Sequence, residues 1–264
     1  MNTFQINRKV TTGFRLLDKY TGGWVLPSLV LLSGEAGVGI TSLALKFSKS
    51  FMWGSENELG VLYFSLKLEK RILWNRLLSS SSGISIDKIR EEDLYEDENK
   101  HLDEILLSIC DYKLHIEDRK YLSTSDFVQK IREVCSKNPI GMVIIDYLQI
   151  SDFDGDKSSQ AWEKIAKEFN LVLIVLLKKS PEFLPTIYLD KEVFDPAYGS
   201  LVIRSDLVIF LSDHEFEDPE SVAQQNALPQ YLSISKNRFG PTKNLDVVFF
   251  RESLSYADPN RHDA

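Results

Sequence analysis

The sequence has little of what marks a secreted, membrane-spanning or polyanion-binding protein. Its two cysteines, Cys110 and Cys135, lack the paired spacing of a zinc site or a disulfide framework. Its longest apolar stretch, Leu171–Leu177, is strand-sized, whereas a membrane span needs ~20 residues, and the N-terminal sequence MNTFQINRKV has no apolar signal segment. The net charge of −8 argues against a chain that binds polyanions over its whole surface. We therefore expect a cytoplasmic protein without a membrane partner.

The composition is that of an ordinary globular protein, and one pattern repeats along the chain. Of the 264 residues, 43% are hydrophobic and 27% are charged, which excludes fibrous and wholly disordered classes. Short β-branched runs alternate with amphipathic segments of helical length, which is typical of a mostly parallel sheet with helices on both faces. The pattern predicts strands at Leu29–Leu32, Val61–Ser65, Leu114–Ile116, Met142–Ile145, Leu171–Leu177, Asp206–Leu211, Tyr231–Ser235 and Leu245–Phe250, and helices at Thr41–Met52, Leu68–Ser80, Ser123–Cys135 and Ala161–Glu168.

These segments predict a single α/β domain over residues 11–252, with a short lead over 1–10 and a frayed tail over 253–264. The last two strands are expected to form a C-terminal hairpin. One mostly acidic stretch, Asp87–Glu104, interrupts the pattern. We interpret it as a solvated helix-loop surface, and a docking site for a basic partner is the alternative.

A glycine-rich segment between the first strand and the first helix occupies the place of a phosphate-binding loop. Such loops follow the pattern G-x-x-x-x-G-K-S/T, in which backbone N–H groups surround the phosphates, the lysine reaches them, and the hydroxyl holds magnesium. Here the glycines and the hydroxyl are present, but isoleucine stands where the lysine belongs. The candidate nucleotide-binding residues in this segment are Gly34, Gly37, Gly39, Ile40, Thr41 and Ser42.

Five further segments point, in chain order, to one family. They are Thr12–Asp18, Val61–Leu66, Gly83–Ile84 with Ile89–Arg90, Val143–Gln149 (VIIDYLQ) and Ser235–Thr242 (SKNRFGPT). Together with the glycine-rich loop, they resemble the C-terminal motor domain of the bacterial replicative DNA helicase (DnaB-like) family. The glycines alone are unspecific, but DYLQ followed by KNRxGPT is highly specific, and the resemblance is colinear over nearly the whole chain.

The resemblance implies a RecA-like P-loop NTPase fold and a set of functional residues. It implies ATP as the ligand, with Thr41 and Asp146 as magnesium ligands and Gln149 in the nucleotide site. It also implies that Lys236 and Arg238 act in trans, on the nucleotide of a neighbouring subunit. The expected partners are therefore further copies of this chain or a helicase of the same family, and the expected process is DNA replication or repair.

Four positions depart from the family pattern. Ile40 replaces the phosphate-loop lysine, Lys67 replaces the glutamate that polarises the attacking water, and Lys178 replaces a strand-end glutamine. The segment Tyr198–Ser200 lacks the arginine found near it in the family. Because one lost electrostatic contact typically costs a factor of ~10²–10³ in rate, we expect no significant ATP hydrolysis. Whether ATP and magnesium bind at all stays open, since Lys67 or Lys178 either supplies the missing charge or points to solvent.

The loop that faces DNA in the family is poorly suited to it here. Ser151–Lys157 carries three acidic residues against one lysine, whereas affinity for DNA comes mainly from neutralising phosphates with Lys and Arg. We expect weak DNA contact at most. Three functions remain: a degenerate motor that acts through a helicase or ring partner, an active ATP-dependent DNA helicase, and an acidic interaction module with a vestigial nucleotide site.

Overall fold

The computed structural model describes residues 10–54, 59–110, 113–119, 123–146, 154–178, 187–189, 192–194, 198–214 and 226–259. Its helices are α1 (Arg15–Thr21), α2 (Ile40–Trp53), α3 (Lys70–Ser82), α4 (Ile86–Glu91), α5 (Glu96–Cys110), α6 (Thr124–Cys135), α7 (Gly155–Phe169) and α8 (Gly199–Arg204). Its strands are β1 (Ser28–Gly34), β2 (Gly60–Ser65), β3 (Leu114–Glu117), β4 (Ile140–Asp146), β5 (Val172–Lys178), β6 (Ile187–Leu189), β7 (Glu192–Phe194), β8 (Leu207–Asp213), β9 (Ala227–Asn237), β10 (Lys243–Phe250) and β11 (Ser255–Ala257).

Nine of these strands form one sheet in the order β11-β10-β9-β8-β1-β5-β4-β2-β3. The six strands from β8 to β3 run parallel, and β9, β10 and β11 add an antiparallel edge. The strands β6 and β7 form a separate two-stranded ladder. The predicted mostly parallel sheet with helices and a C-terminal hairpin is confirmed.

The sheet has a hydrophobic core on each face. Along β1, Val30 and Leu32 enter one core with residues of α1, α2 and α3, while Leu29 and Leu31 enter the other with residues of α6, α7 and α8. Successive side chains of a strand point to opposite faces, so a strand covered on both sides is a continuous apolar run. This explains why the central residues of β1, β4 and β5 form apolar runs rather than alternating with polar residues.

The predicted frayed tail was wrong in part, because the sheet continues past residue 252. Ser255–Ala257 forms β11, which pairs with β10, and Tyr256 is 4% exposed. Its ring lies 4.8 Å from that of Phe249 and belongs to the core on the α2 side. The described fold begins at Val10, one residue before the predicted start of the domain, since Val10 is buried and forms a bridge with Trp24.

The acidic stretch Asp87–Glu104 contributes to a small third core. It includes most of α4 and the first part of α5, and Ile89 and Leu102 pack with Leu78 of α3. Its acidic side chains are mostly exposed, in agreement with the predicted solvated helix-loop surface. None of the described helices has the length and apolar character needed to cross a bilayer.

Candidate nucleotide site

The phosphate-loop segment lies at the carboxyl end of β1 and leads directly into α2. Gly37 has a φ of 89° and Gly39 a φ of 101°, a region that residues with a Cβ rarely adopt. Gly39 is the N-cap of α2, so the loop ends at a helix N-terminus, where backbone N–H groups favour anions. Glu35, Ala36 and Gly37 are exposed, and the loop is therefore open to solvent on one side.

Ile40 occupies the position of the missing lysine and is 3% exposed. It belongs to the same hydrophobic core as Val38, Leu43 and Ala44. Ser42 in the same turn is also buried. The loop thus has an apolar side chain packed into the protein where the pattern calls for a charge directed at phosphate.

Thr41 and Asp146, which the sequence predicts as magnesium ligands, lie together in the structure. The Thr41 hydroxyl donates to Oδ1 of Asp146 at 3.3 Å, and the Tyr63 hydroxyl donates to Oδ2 at 2.7 Å. Asp146 is 3% exposed, and burial raises the pKa of its carboxyl to about 6. The hydrogen bonds from Tyr63 and Thr41 oppose this rise in pKa. Hydroxyl and carboxylate oxygens are the ligands that magnesium prefers, so this pair fits the ion.

Two cationic side chains act on Asp146 from neighbouring elements. Arg76 on α3 and Lys67, which follows β2, both lower the Asp146 pKa. Lys67 is exposed, and Arg76 is half-buried without a hydrogen bond or ion pair to any described residue. Sequence reasoning missed Arg76, because a single arginine within an amphipathic helix carries no motif. It also missed Tyr63, which appears in the sequence as one more residue of a buried strand.

The structure does not describe the side chains of two predicted site residues, Lys178 and Gln149. Lys178 ends β5 opposite Gly34 of β1, but its side chain is outside the described part of the structure. Gln149 lies in the segment 147–153, which is outside the described residues. Of the segment Ser151–Lys157, whose counterpart faces DNA in the family, the described portion begins at Asp154. This residue caps α7 by accepting from the Lys157 N–H at 3.2 Å.

Lys236 and Arg238 lie together near the end of α8. The Lys236 ammonium donates to the carbonyls of Val202 at 2.9 Å and Ile203 at 2.7 Å. The Arg238 guanidinium pairs with Asp206 at 2.8 Å and donates to the Ile203 carbonyl at 3.1 Å. Cations at a helix C-terminus satisfy its free carbonyls and its dipole. Burial, with a contribution from Arg238, lowers the pKa of Lys236, and Asp206 opposes this.

These two cations are at the opposite end of the sheet from the phosphate loop of the same chain. In β8, Leu211 lies beside Gly34 of β1, whereas Val208 lies opposite Lys236 of β9. Gln230, at the loop end of β9, is six residues from Lys236, which at ~3.4 Å per residue is roughly 20 Å. Neither Lys236 nor Arg238 can therefore reach the nucleotide site of its own chain.

Known proteins of one family are similar to this chain in sequence and in fold. The family model described as the DnaB-like helicase C-terminal domain matches residues 9–182. The chain belongs to this family. Its fold is the RecA-like fold of that family's ATPase domains.

Individual DnaB-like relatives extend the match over almost the whole chain. A probable replicative DNA helicase of Trieres chinensis is 26% identical over 94% of this chain and 57% of its own length. The replicative DNA helicase DnaC of Bacillus subtilis (strain 168) is 24% identical over 96% of this chain and 57% of its own length. The chain thus spans little more than half of these relatives. A solved ATPase domain superposes with a TM-score of 0.79 at 25% identity, covering 97% of this chain and 93% of that chain.

Within the DnaB-like domain, the structure brings together one part of the predicted site. The loop residues Gly34–Ser42 and Asp146 form one cluster at the carboxyl ends of β1 and β4, with Lys67 near it. Lys236 and Arg238 form a second cluster at the other end of the sheet. The predicted site residues that the structure describes therefore fall into two separate groups.

Proposed function

We propose that this chain is a degenerate motor domain of the DnaB-like family, which binds magnesium nucleotide weakly, hydrolyses it little or not at all, and acts in DNA replication or repair through a helicase or ring partner. The observation that carries the proposal is the burial of Ile40 in the hydrophobic core at the position of the phosphate lysine. The loop keeps its glycine conformations and its helix N-terminus, but it has no lysine to contact the phosphates.

Several features support residual binding. Thr41 and Asp146 would hold magnesium, which would bridge the phosphates and neutralise part of their charge. The α2 N-terminus would contribute backbone N–H groups. Arg76 and Lys67 place positive charge near Asp146, and either can partly replace the missing lysine. Affinity should nevertheless be low, because neither cation belongs to the loop itself.

The absence of a water-activating carboxylate supports slow hydrolysis. Lys67 stands at the position of the family's glutamate, and an ammonium cannot accept a proton from the attacking water. Loss of one preorganised electrostatic contact costs ~10²–10³ in rate, and this chain departs at both the lysine and the glutamate. The two losses need not add, but even one of them would leave turnover close to background.

The location of Lys236 and Arg238 supports a role toward another subunit. Because they lie roughly 20 Å along β9 from the loop end of the sheet, a nucleotide that they contact must belong to a neighbour. We propose a second copy of this chain or a helicase of the same family as that neighbour. Contact with DNA would be weak, because Lys157 and Arg204 beside the start of α7 are already paired with Asp154 and Asp156 rather than free to neutralise phosphates.

The proposal is tested by two measurements on the same protein. Binding is followed by the shift in melting temperature with MgADP and MgATP, since a ligand selective for the folded state must raise it. Turnover is followed by phosphate release. We expect a shift at millimolar nucleotide that Asp146→Asn and Thr41→Val reduce, and phosphate release no faster than in buffer.

The other two functions correspond to different outcomes of these measurements. Phosphate release that disappears in Thr41→Val would identify an active ATP-dependent helicase and contradict the proposal. An unchanged melting temperature at millimolar nucleotide would make the site vestigial and favour an interaction module centred on the acidic surface of α4 and α5.

A further inference from the structure

The side chain of Gln230 connects the phosphate loop to the antiparallel edge of the sheet. Gln230 lies on β9 and is 1% exposed. Its Nε2 donates to the Val38 carbonyl at 2.9 Å and to Oδ1 of Asp213 at 2.7 Å. Val38 immediately precedes Gly39, the N-cap of α2. One buried amide therefore holds the loop where it turns into the helix.

The orientation of this amide follows from its partners. Val38 contributes a carbonyl and Asp213 a carboxylate, so the group that faces both must be the NH₂. The amide oxygen is then left to accept, and it accepts from the Tyr256 hydroxyl at 3.0 Å. The two N–H groups and the oxygen of the Gln230 amide thus each have a hydrogen-bond partner, as a buried amide requires.

Tyr256 also fills the space beside the loop. Its hydroxyl oxygen lies 3.3 Å from the Val38 carbonyl oxygen and 3.4 Å from that of Gly39. A Cβ on Gly39 would come within 2.5 Å of that hydroxyl, so Gly39 is needed both for its positive φ and for this close approach. Burial of Tyr256 at 4% exposure leaves its ring little room to move away.

We propose that Gln230 is a positioning residue for the phosphate loop, that Tyr256 and Asp213 orient its amide, and that the loop keeps its nucleotide-ready shape through this contact. A phosphate-loop lysine would bind the ligand directly, whereas Gln230 acts from behind, on a carbonyl of the loop. Its effect on nucleotide affinity rests on the proposed function, but its effect on the loop does not.

Hydrogen exchange of the folded protein without ligand tests the positioning role. The readout is amide exchange in peptides covering residues 34–43, which include the Val38 and Leu43 amides bonded to the carbonyls of Glu35 and Gly39. Tyr256→Phe removes one hydroxyl and keeps the ring, and Gln230→Met keeps the volume and removes the donors. We expect exchange in these peptides to rise about tenfold in Gln230→Met and less in Tyr256→Phe.

The matched control is Ser48→Ala, which removes a buried hydroxyl donor to the Ala44 carbonyl within α2, away from the loop. Exchange in peptides of α6 serves as the reference for global stability. The proposal requires faster exchange in the loop peptides alone, and only in the Gln230 and Tyr256 variants. Loop exchange equal to wild type in both variants, or an equal rise in Ser48→Ala, would overturn it.

A binding measurement separates this inference from the proposed function. If wild type binds MgADP, Gln230→Met should weaken that binding about fivefold while leaving the binding of adenosine, which has no phosphate, unchanged. Equal binding of MgADP by wild type and variant would contradict the inference. If wild type does not bind MgADP, the proposed function fails and the exchange experiment alone decides the role of Gln230.

Discussion

The hydroxyl of Thr41 lies 3.3 Å from Oδ1 of Asp146, and the residue before Thr41, Ile40, is buried in the core. The two predicted magnesium ligands thus lie in contact, while isoleucine stands at the position of the family's phosphate-loop lysine. A chain in this state should respond to single substitutions in ways that separate binding from chemistry.

Restoring both family residues should restore turnover. Ile40→Lys supplies a phosphate-reaching ammonium but buries a charge, so it should lower the melting temperature of the free protein and enlarge the shift produced by MgADP. Ile40→Lys combined with Lys67→Glu should release phosphate from MgATP, whereas each single variant should not. Ile40→Met is the control for the change in packing. A double variant that releases no phosphate would show that departures at other positions also prevent turnover.

Arg76 should contribute to nucleotide binding, although no sequence motif marks it. It is half-buried and acts on Asp146 from α3, so Arg76→Ala should reduce the melting-temperature shift produced by MgADP. Lys67→Ala should reduce it less, because an exposed ammonium is screened by solvent. The control is Arg90→Ala, because Arg90 is exposed and forms an ion pair with Asp87 on α4. Equal shifts in Arg76→Ala and the control would exclude Arg76 from the site.

Substitution of Arg238 should affect the ATPase rate of a partner helicase more than the stability of this chain. Mixed with an active helicase of the same family, wild type should change the ATPase rate of that helicase, and Arg238→Ala should abolish most of the change, since an arginine supplied in trans can contribute ~10³ or more in rate. Loss of the contacts with Asp206 and the α8 carbonyl should cost about 1 kcal/mol in unfolding free energy.

The control for this experiment is Arg132→Ala. Arg132 makes a two-point pair with Glu168, and its side chain is 50% exposed, against 51% for Arg238. The two variants thus remove similar paired arginines from different surfaces. Identical ATPase rates in the two mixtures, with a monomeric chain in light scattering, would rule out the trans-acting role.

Lys49 should make the stability of the protein depend on pH. Burial, and secondarily the charge of Lys46, lowers the Lys49 pKa to about 8, while its ammonium donates to the Ser80 carbonyl at 2.6 Å. Below pH 8 both folded and unfolded chains hold this proton, and the folded state bears the full cost of the buried charge. Between pH 8 and the ordinary lysine value the unfolded chain binds more protons, so this cost falls as pH rises.

The measurement is the unfolding free energy of wild type and Lys49→Met in denaturant at pH 7.5 and 10. Subtracting the unfolding free energy of one protein from that of the other removes the contributions of the titratable groups that both contain. Wild type should gain on the order of 2 kcal/mol relative to the variant over this interval. A constant difference would mean that the Lys49 ammonium is solvated in the folded state.

Local patterns in the sequence predicted eight of the eleven described strands and four of the eight described helices, together with the loop residues of the candidate site. Apolar runs such as Met142–Ile145 predict strands covered on both faces, and Ser123 with Asp126 marks the start of α6, where the structure shows a capping box. Gly34, Gly39 and Thr41 define a strand–loop–helix unit within ten residues. Such signals depend on neighbours in the chain, so they can be read before the fold is known.

Contacts between distant segments were decided by the tertiary structure alone. Gln230 and Val38 are 192 residues apart, and Tyr63 and Asp146 are 83 apart. The short strand β11 has no periodicity of its own, and it is stable because it pairs with β10 and buries Tyr256. The proximity of Arg76 to Asp146 likewise depends on how α3 packs against the sheet. A residue's spacing in the chain carries no information about such partners, because the free energy of each contact arises only after both elements are packed.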